Sequence, residues 1–600
     1  MNLTIESLLK AYRDKTITPA EVVDNILSDC DRYDDHNIWI TRLNKKQISV
    51  YLDYLKGFSA DTLPLYGIPF AIKDNIDLAG VPTTAACSEF TYTPDKSAFV
   101  VEQLMQAGAI PIGKTNMDQF ATGLVGVRSP EPWGACKNAF NKDYISGGSS
   151  SGSAVSVGLG LVSFSLGTDT AGSGRVPAAF NNLVGLKPSK GLLSMSGVVP
   201  ACRSLDCVSI FALTTDDANT VLEQAAKFDS ADDYARDNKF ANNARHYSNE
   251  SEAFTFGVPQ VDQLKFFGND SAQTLFNQSI KTLEALGGIK HEIDFSPFLD
   301  AARLLYEGPW VAERYVAIEK IISQTPEALM PVINTIVGSA EGKTAVDAFK
   351  AEYQLKHYKR LCDISMSELD IIVTPTAGTI YTIDEVQNDP IKLNSNLGYY
   401  TNYMNLLDYA CVSVSSGFMD NDLPFGISLV AHAFQDRKIL SLASRFQQQL
   451  GLKLGATPND LPESHSMGII SKQKIDLIVA GAHMSGLPLN WQLTERGGTL
   501  IEKTTTSNNY RMYALSGGPL QRPGLIREMN QFEFEIEIWS VPSEEFGSFV
   551  AAIPGPLGIG KVETKDGRWL TGFICEHYAI AEVEEISRYG SWRAYIKNVV

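Results

Sequence analysis

The stretch SGGSSSGSAVSVGLG, residues 146–160, crowds serines and glycines together in a way that three kinds of function could use. A flexible linker would be flanked by polar sequence. This stretch runs instead into the apolar LVSFSL, so a tight buried loop is expected. A phosphate-binding loop needs G-x-x-x-x-G-K-[ST]. The nearest match, GPLGIGKV at 555–562, ends in Val562, lacks the hydroxyl that would hold magnesium, and reads as a chance match in a turn. The third possibility is a serine nucleophile. GSSSG at 148–152 satisfies G-x-S-x-G and would make Ser150 an elbow nucleophile, which needs a strand directly before it and a later acid and histidine. The preceding PWGACKNAFNKDYISGG does not read as a strand, and His357 and His432 stand in no marked context.

Lysine is the alternative base. FAIKDNID places Lys73 after an apolar run, with acids beyond it. A lysine takes a proton from serine only when neutral. Its usual pKa is about 10.4, burial lowers it, and a shift of three units costs roughly 4 kcal/mol. A dry pocket of small residues supplies such burial. A serine between lysine and nucleophile can pass the proton, because a hydroxyl both donates and accepts.

The elements that must position these groups alternate. Leu8, Leu9 and Tyr12 follow helical spacing, and Thr18-Pro19-Ala20-Glu21 reads as an N-cap with proline at the first helical position. FAIK reads as the end of a strand, FVVEQLMQAGAIPIGKT as helix, turn and strand, and AVSVGLGLVSFSLGTDT as a small-residue helix and a strand. LDIIVTPTAG and LPFGISLVA continue the pattern, which implies an α/β layered domain. The texture changes at GLKLGATPNDLPESHSM. This places a first domain at 1–455, a linker at 456–467 and a second domain at 468–600. In the second, QFEFEIEIW at 531–539 alternates with period two, as a half-exposed strand should.

The formal charge of −18 argues against broad contact with nucleic acid or an anionic membrane. The eight cysteines show no C-x-x-C spacing, so neither a disulfide framework nor a zinc site is expected, and a cytoplasmic protein with reduced thiols is. The N-terminal residues carry acids and no apolar core of a signal peptide, and no charge-free apolar run reaches the about 18 residues of a membrane span.

Residues 147–191, GGSSSGSAVSVGLGLVSFSLGTDTAGSGRVPAAFNNLVGLKPSKG, resemble the core of the amidase signature family, and IPFAIKDNID upstream agrees in order. The resemblance implies an α/β/α layered domain with a mixed central sheet. It implies Lys73 as base, Ser149 as relay after a cis peptide bond, and Ser173 as nucleophile. Main-chain N–H groups of Thr170, Ala171, Gly172 and Ser173 would form the oxyanion hole, with Asp169 and Arg175 as scaffold. No metal or cofactor is implied.

Three further segments resemble the allophanate hydrolase branch of that family: TNMDQFATGLVGVRSPEPWG, YEGPWVAERY, and LGYYTNYMNLLDYACVSV preceded by VTPTAGTIYTIDEV. The implied substrate, allophanate, is a small planar anion. The resemblance implies that Tyr306 and Arg314 hold its carboxylate, with Gly123 lining the other side. On the residues alone, Arg314 would instead pair with Glu307 or Glu313 on a solvated face. VAGAHMSGLPLNWQL, YALSGGPLQRPGLIR and AAIPGPLGIGKVETKDGRWLTGF resemble the C-terminal domain of the same branch, an α+β barrel-like unit similar in fold to gamma-glutamyl cyclotransferases. That implies decarboxylation of N-carboxycarbamate, with His483 offered as acid/base and Arg522 or Arg527 as carboxylate contact. The resemblance also implies a homodimer working in urea degradation and nitrogen metabolism, fed by a separate urea carboxylase or a biuret-forming route, since these residues hold no biotin carboxylase or biotin-attachment segment. An amidase for another small amide, an amidase-type subunit of an amidotransferase complex and an inactive binding module are the other readings.

Overall fold

The computed structural model describes residues 1–239, 242–243, 247, 253–464, 474–515, 521–529, 532–581 and 583–599. The N-terminal spacing forms helices Ile5–Arg13 and Pro19–Arg32. The second starts on a reciprocal cap: Glu21 N–H donates to the Thr18 hydroxyl, and Thr18 N–H donates to the Glu21 carboxylate. Eleven strands then build one sheet among the described residues. They are β1 (Trp39–Arg42), β2 (Pro69–Lys73), β3 (Ile110–Thr115), β4 (Phe164–Asp169), β5 (Val184–Lys187), β6 (Cys207–Ala212), β7 (Phe254–Pro259), β8 (Gly288–Ile293), β9 (Ile371–Pro375), β10 (Tyr409–Phe418) and β11 (Pro424–His432). Their order is β1-β3-β2-β4-β6-β5-β10-β11-β9-β7-β8. The sheet is mixed: β2 runs parallel to β3 and β4, while β4 and β5 each pair antiparallel with β6.

Every residue of β2 and β4 is buried. Because the two strands are parallel, their C-terminal residues Lys73 and Asp169 emerge at the same sheet edge, where ligands bind in α/β folds. The small-residue helix Ser151–Gly158 is buried throughout. A side chain at Gly152 would meet the Ile38 carbonyl at 2.3 Å and the Asn116 nitrogen at 2.7 Å, so only glycine lets this helix approach so closely.

The chain divides into two compact units, Met1–Asn238 with Asn242–Met467, and Gly468–Val600 with Lys239–Ala241. Of the segment read as a linker, 456–464 pack on the first unit. Ala456 N–H donates to the Gly158 carbonyl and the Ser464 hydroxyl to Asp216, while 465–467 lie outside the described residues.

The second unit has its own apolar core around Leu477, Ile538 and Trp539. Its strands are β12 (Lys474–Val479), β13 (Thr499–Thr505), β14 (Tyr510–Leu515), β15 (Arg522–Arg527), β16 (Glu535–Pro542), β17 (Leu557–Glu563), β18 (Trp569–Cys575) and β19 (Glu584–Glu585). They form two sheets, β13-β16-β12-β18-β17 and β15-β14-β19. Of the half-exposed strand expected at 531–539, the strand is present from Glu535 but the half exposure is not. The strand is β16, flanked on both sides and buried from Ile536 to Pro542, and residue 531 lies outside the described residues. Its Glu537 tolerates full burial because Ser485 (N–H and hydroxyl), the Trp539 indole and Arg593 all donate to it. Among the described residues no helix is long and apolar enough to cross a membrane.

Candidate active site

Lys73 stands at the end of β2 with its amine fully buried. Its Nζ lies 2.8 Å from the Ser149 Oγ and 2.8 Å from the Thr168 Oγ1. Ser149 Oγ is 3.0 Å from Ser173 Oγ, 24 positions later in the chain. The Ser173 hydroxyl also donates to the Gly123 carbonyl at 3.4 Å. Lysine, two serines and a carbonyl thus form one continuous file. The Gly148–Ser149 peptide bond is cis. Ser150, the elbow candidate, is turned away, its hydroxyl donating to the Thr168 carbonyl.

Burial lowers the Lys73 pKa from 10.5 to about 7, against the pull of Asp118, Asp206 and Asp169 and with the help of Arg314. Such a shift corresponds to about 5 kcal/mol between the two protonation states. A neutral amine here can give one N–H to Thr168 and turn its lone pair to Ser149. The hydroxyls can rotate to pass a proton from Ser173 to Ser149 to Lys73.

The turn carrying Ser173 is held by a buried ion pair. Arg175 donates from Nε and Nη2 to the two Asp169 oxygens, each at 2.9 Å. Burial alone would raise the Asp169 carboxyl, but the Arg175 guanidinium holds it below the usual range. Asp169 also accepts N–H groups from Gly172 and Gly174, both at 2.9 Å. The Gly172 N–H, expected in the oxyanion hole, is donated to Asp169 in this structure. The Thr170 hydroxyl is likewise engaged, donating to Asp206 at 2.5 Å.

Arg314 lies one turn from Trp310 in the helix Trp310–Gln324, and both are buried. The ion pair imagined with Glu307 or Glu313 does not form; Glu313 accepts instead from the Ser204 N–H and hydroxyl. Arg314 Nη1 donates to the Thr122 hydroxyl at 3.3 Å, its guanidinium carbon is 5.6 Å from the centre of the Tyr306 ring, and Nε has no partner among the described residues. Thr122 precedes Gly123, so the guanidinium is one residue removed from the contact with Ser173. The structure therefore gathers Lys73, Ser149, Ser173, Gly123, Tyr306 and Arg314 into one region. Sequence reasoning missed Thr168, Asp118 and Asp206. Their partners are 95, 31 and 36 positions away or main-chain groups, and no local spacing marks them.

The second unit holds a cavity of about 230 Å³ whose lining includes His483, Gln492, Arg522, Leu525, Phe549 and Phe573. The His483 ring stacks on Phe573 at 5.1 Å, meets Phe549 edge-on, and its Nε2 lies 2.9 Å from the Gln492 Oε1. Burial lowers its pKa, so the imidazole is held neutral. Arg522 lines this cavity, whereas Arg527 pairs with Glu563 and covers the Trp569 ring. In YALSGGPLQRPGLIR, residues 516–520 lie outside the described residues.

A buried lysine joined to two serines on an α/β sheet is the arrangement of a serine amidohydrolase, and comparison with known proteins agrees. The chain matches the Amidase family over residues 21–440 and the Allophanate hydrolase C-terminal domain over 475–597. It belongs to the amidase family and carries that C-terminal domain. Urea amidolyase of Saccharomyces cerevisiae is 43% identical over 580 residues, 94% of this chain and 31% of that protein. A glutamyl-tRNA(Gln) amidotransferase subunit of Carboxydothermus hydrogenoformans is 31% identical over 416 residues, 65% of this chain and 84% of its own. The chain spans 31% of the length of the urea amidolyases that it matches. The crystallised allophanate hydrolase of Kluyveromyces lactis aligns over 100% of this chain and 99% of its own, with a TM-score of 0.75 and 39% identity.

The Asp169–Arg175 pair can be tested without any substrate. Arg175→Met leaves Asp169 charged and unpaired in the interior, and is expected to destabilise the first unit by about 3–5 kcal/mol. Urea denaturation followed by tryptophan fluorescence measures this. A loss under about 1 kcal/mol, the value of an exposed pair, would show that the pair does not hold the turn.

Proposed function

We propose that this chain hydrolyses allophanate through Lys73, Ser149 and Ser173, and that its second unit promotes decarboxylation of the product. The observation that carries the reading is the buried guanidinium of Arg314. Among the described residues its Nε has no partner and its Nη1 meets a hydroxyl and not a carboxylate, and it adjoins the hydroxyl file through Thr122 and Gly123. A buried cation without a carboxylate is suited to a substrate that brings its own. The similarity to allophanate hydrolase and urea amidolyase supports the same substrate.

In this mechanism Ser173 Oγ attacks the terminal amide carbon while its proton passes through Ser149 to neutral Lys73. The developing oxyanion is met by main-chain N–H groups of Thr170, Ala171 and Ser173, each such donor being worth about 3 kcal/mol. The proton returns to the departing nitrogen and ammonia leaves. Water then uses the same relay to cleave the acyl-enzyme, releasing N-carboxycarbamate. In the second unit, the apolar lining of the cavity disfavours a charged carboxylate and so favours its loss as neutral carbon dioxide, the nitrogen taking a proton from water; the carbamate left behind takes a second proton and falls apart to carbon dioxide and ammonia. The net products are two ammonia and two carbon dioxide. A homodimer in the cytoplasm, supplied with allophanate by a urea carboxylase or a biuret-forming route, completes the proposal.

Ammonia release from allophanate, biuret, malonamide and glutamine tests the substrate. Allophanate is expected to be preferred, and Ser173→Ala to lose at least roughly 1,000-fold in kcat. Release from glutamine but not allophanate refutes the substrate, and undiminished release by Ser173→Ala refutes the nucleophile. Only a neutral amine accepts a proton, so kcat/KM should rise as pH increases through about 7 and then level off. A flat profile across that range removes Lys73 as base.

Arg314→Ala should raise KM for allophanate roughly 10- to 100-fold, the value of about 1.5–3 kcal/mol for a charged hydrogen bond. For biuret, whose amide replaces the carboxylate, KM should change little. Equal effects on both substrates would take the carboxylate away from Arg314. His483→Ala should release ammonia from the first step at the wild-type rate and delay carbon dioxide. Unchanged carbon dioxide kinetics would leave His483 a structural residue.

A further inference from the structure

Asp118 lies at the junction of the hydroxyl file and the loop that leads to Arg314, fully buried and outside the chemistry described above. Its main-chain N–H donates to the Ser149 carbonyl at 3.0 Å. Its Oδ1 accepts from the Arg128 N–H at 2.8 Å, and its Oδ2 from those of Gly126 and Val125 at 3.1 and 3.3 Å. Oδ2 also fills the space that a side chain would take at two other positions. It would be 2.1 Å from a Cβ at Gly148 and 2.6 Å from one at Gly123. One carboxylate therefore seats the loop 123–128 against the peptide that carries Ser149. The first residue of that loop presents the carbonyl touching Ser173, and Thr122 before it touches Arg314.

We propose that Asp118 is a positioning residue for the hydrolytic site, locking the Gly123 loop onto the Gly148–Ser149 peptide and holding a buried negative charge at the peptide that presents Ser149 to Lys73. The inference rests on the proposed roles of Lys73, Ser149 and Ser173. Asp118, Asp206, Asp169 and Arg314 all bear electrostatically on Lys73. Asp169 is neutralised by Arg175. Asp206 accepts from Thr170 and from the Ala201 and Cys202 N–H groups. Of the three carboxylates, Asp118 is the one whose own main-chain N–H holds the Ser149 carbonyl. Burial pushes the Asp118 carboxyl above the usual carboxylate range, while Arg128, the N–H groups of Arg128 and Gly126, and Lys73 oppose that rise. With main-chain N–H groups donating to both oxygens, the geometry is that of a carboxylate, not a carboxylic acid.

The test is the pH dependence of kcat/KM for allophanate in Asp118→Asn. Without the negative charge, the Lys73 ammonium loses support and gives up its proton at lower pH. The acidic limb should therefore move down by roughly one pH unit. Displacement of the loop should lower kcat roughly 10- to 100-fold with little change in KM. A merely structural role would lower the whole profile without moving the limb, so an unmoved limb in the folded variant overturns the proposal. If Asp118→Asn does not fold by circular dichroism, Asp118→Glu takes its place, keeping the charge but displacing it. A reduced kcat with the limb moved from its wild-type pH supports the proposal, and a wild-type kcat or an unmoved limb overturns it. Ser173→Ala, run alongside, separates the two ideas: full activity there defeats the triad itself, whereas an inactive Ser173→Ala with an unmoved Asp118→Asn limb defeats only the role of Asp118.

Discussion

The burial of the Lys73 amine governs much of what surrounds it. In water the group would be an ammonium at neutral pH, and only desolvation makes its lone pair available. That desolvation must be complete, yet the amine must still meet polar partners, since a buried donor without one is costly. Thr168 and Ser149 supply them from a neighbouring strand and from the loop before the small-residue helix. The parallel pairing of β2 with β4 and the buried helix Ser151–Gly158 are what bring those two hydroxyls to the same nitrogen.

The carboxylates nearby are arranged so that they do not undo this. An unshielded acid beside Lys73 would return it to the ammonium. Asp169 is matched by Arg175, and Asp206 and Asp118 are turned toward hydroxyl and main-chain donors. The same hydrogen bonds shape the turn at Ser173 and the loop at Gly123. Electrostatic tuning and loop geometry are therefore one set of interactions, and a change at any of these acids acts on both.

The two units solve opposite problems. The first concentrates polar and charged groups in a dry interior, where hydrogen bonds are strong and unpaired groups expensive. The second surrounds a neutral histidine with aromatic and aliphatic side chains. Glu537 shows how such a unit keeps its loops in place: four donors from three segments converge on one buried carboxylate, two of them from Ser485, two residues past His483. A strand that reads as half exposed is buried on both faces because those donors make its acid tolerable.

Local order was legible in the residues themselves. The Thr18 cap, the strand ending at Lys73 and the helix built of small residues each rest on contacts within a few positions, and the run of motifs around TDTAGSGR marked the family. What lay beyond reach depends on long-range closure. That the Gly172 N–H belongs to Asp169, that Arg314 is buried and not paired with Glu313, and that Asp118 braces both Gly123 and Gly148 follow from how distant loops meet at one sheet edge. The sequence by itself determined which groups could do chemistry, because side-chain type and short-range spacing settle that. Only the tertiary structure decided which of them are dry, which are paired and which face one another, because desolvation and hydrogen-bond geometry exist only once segments a hundred residues apart have packed.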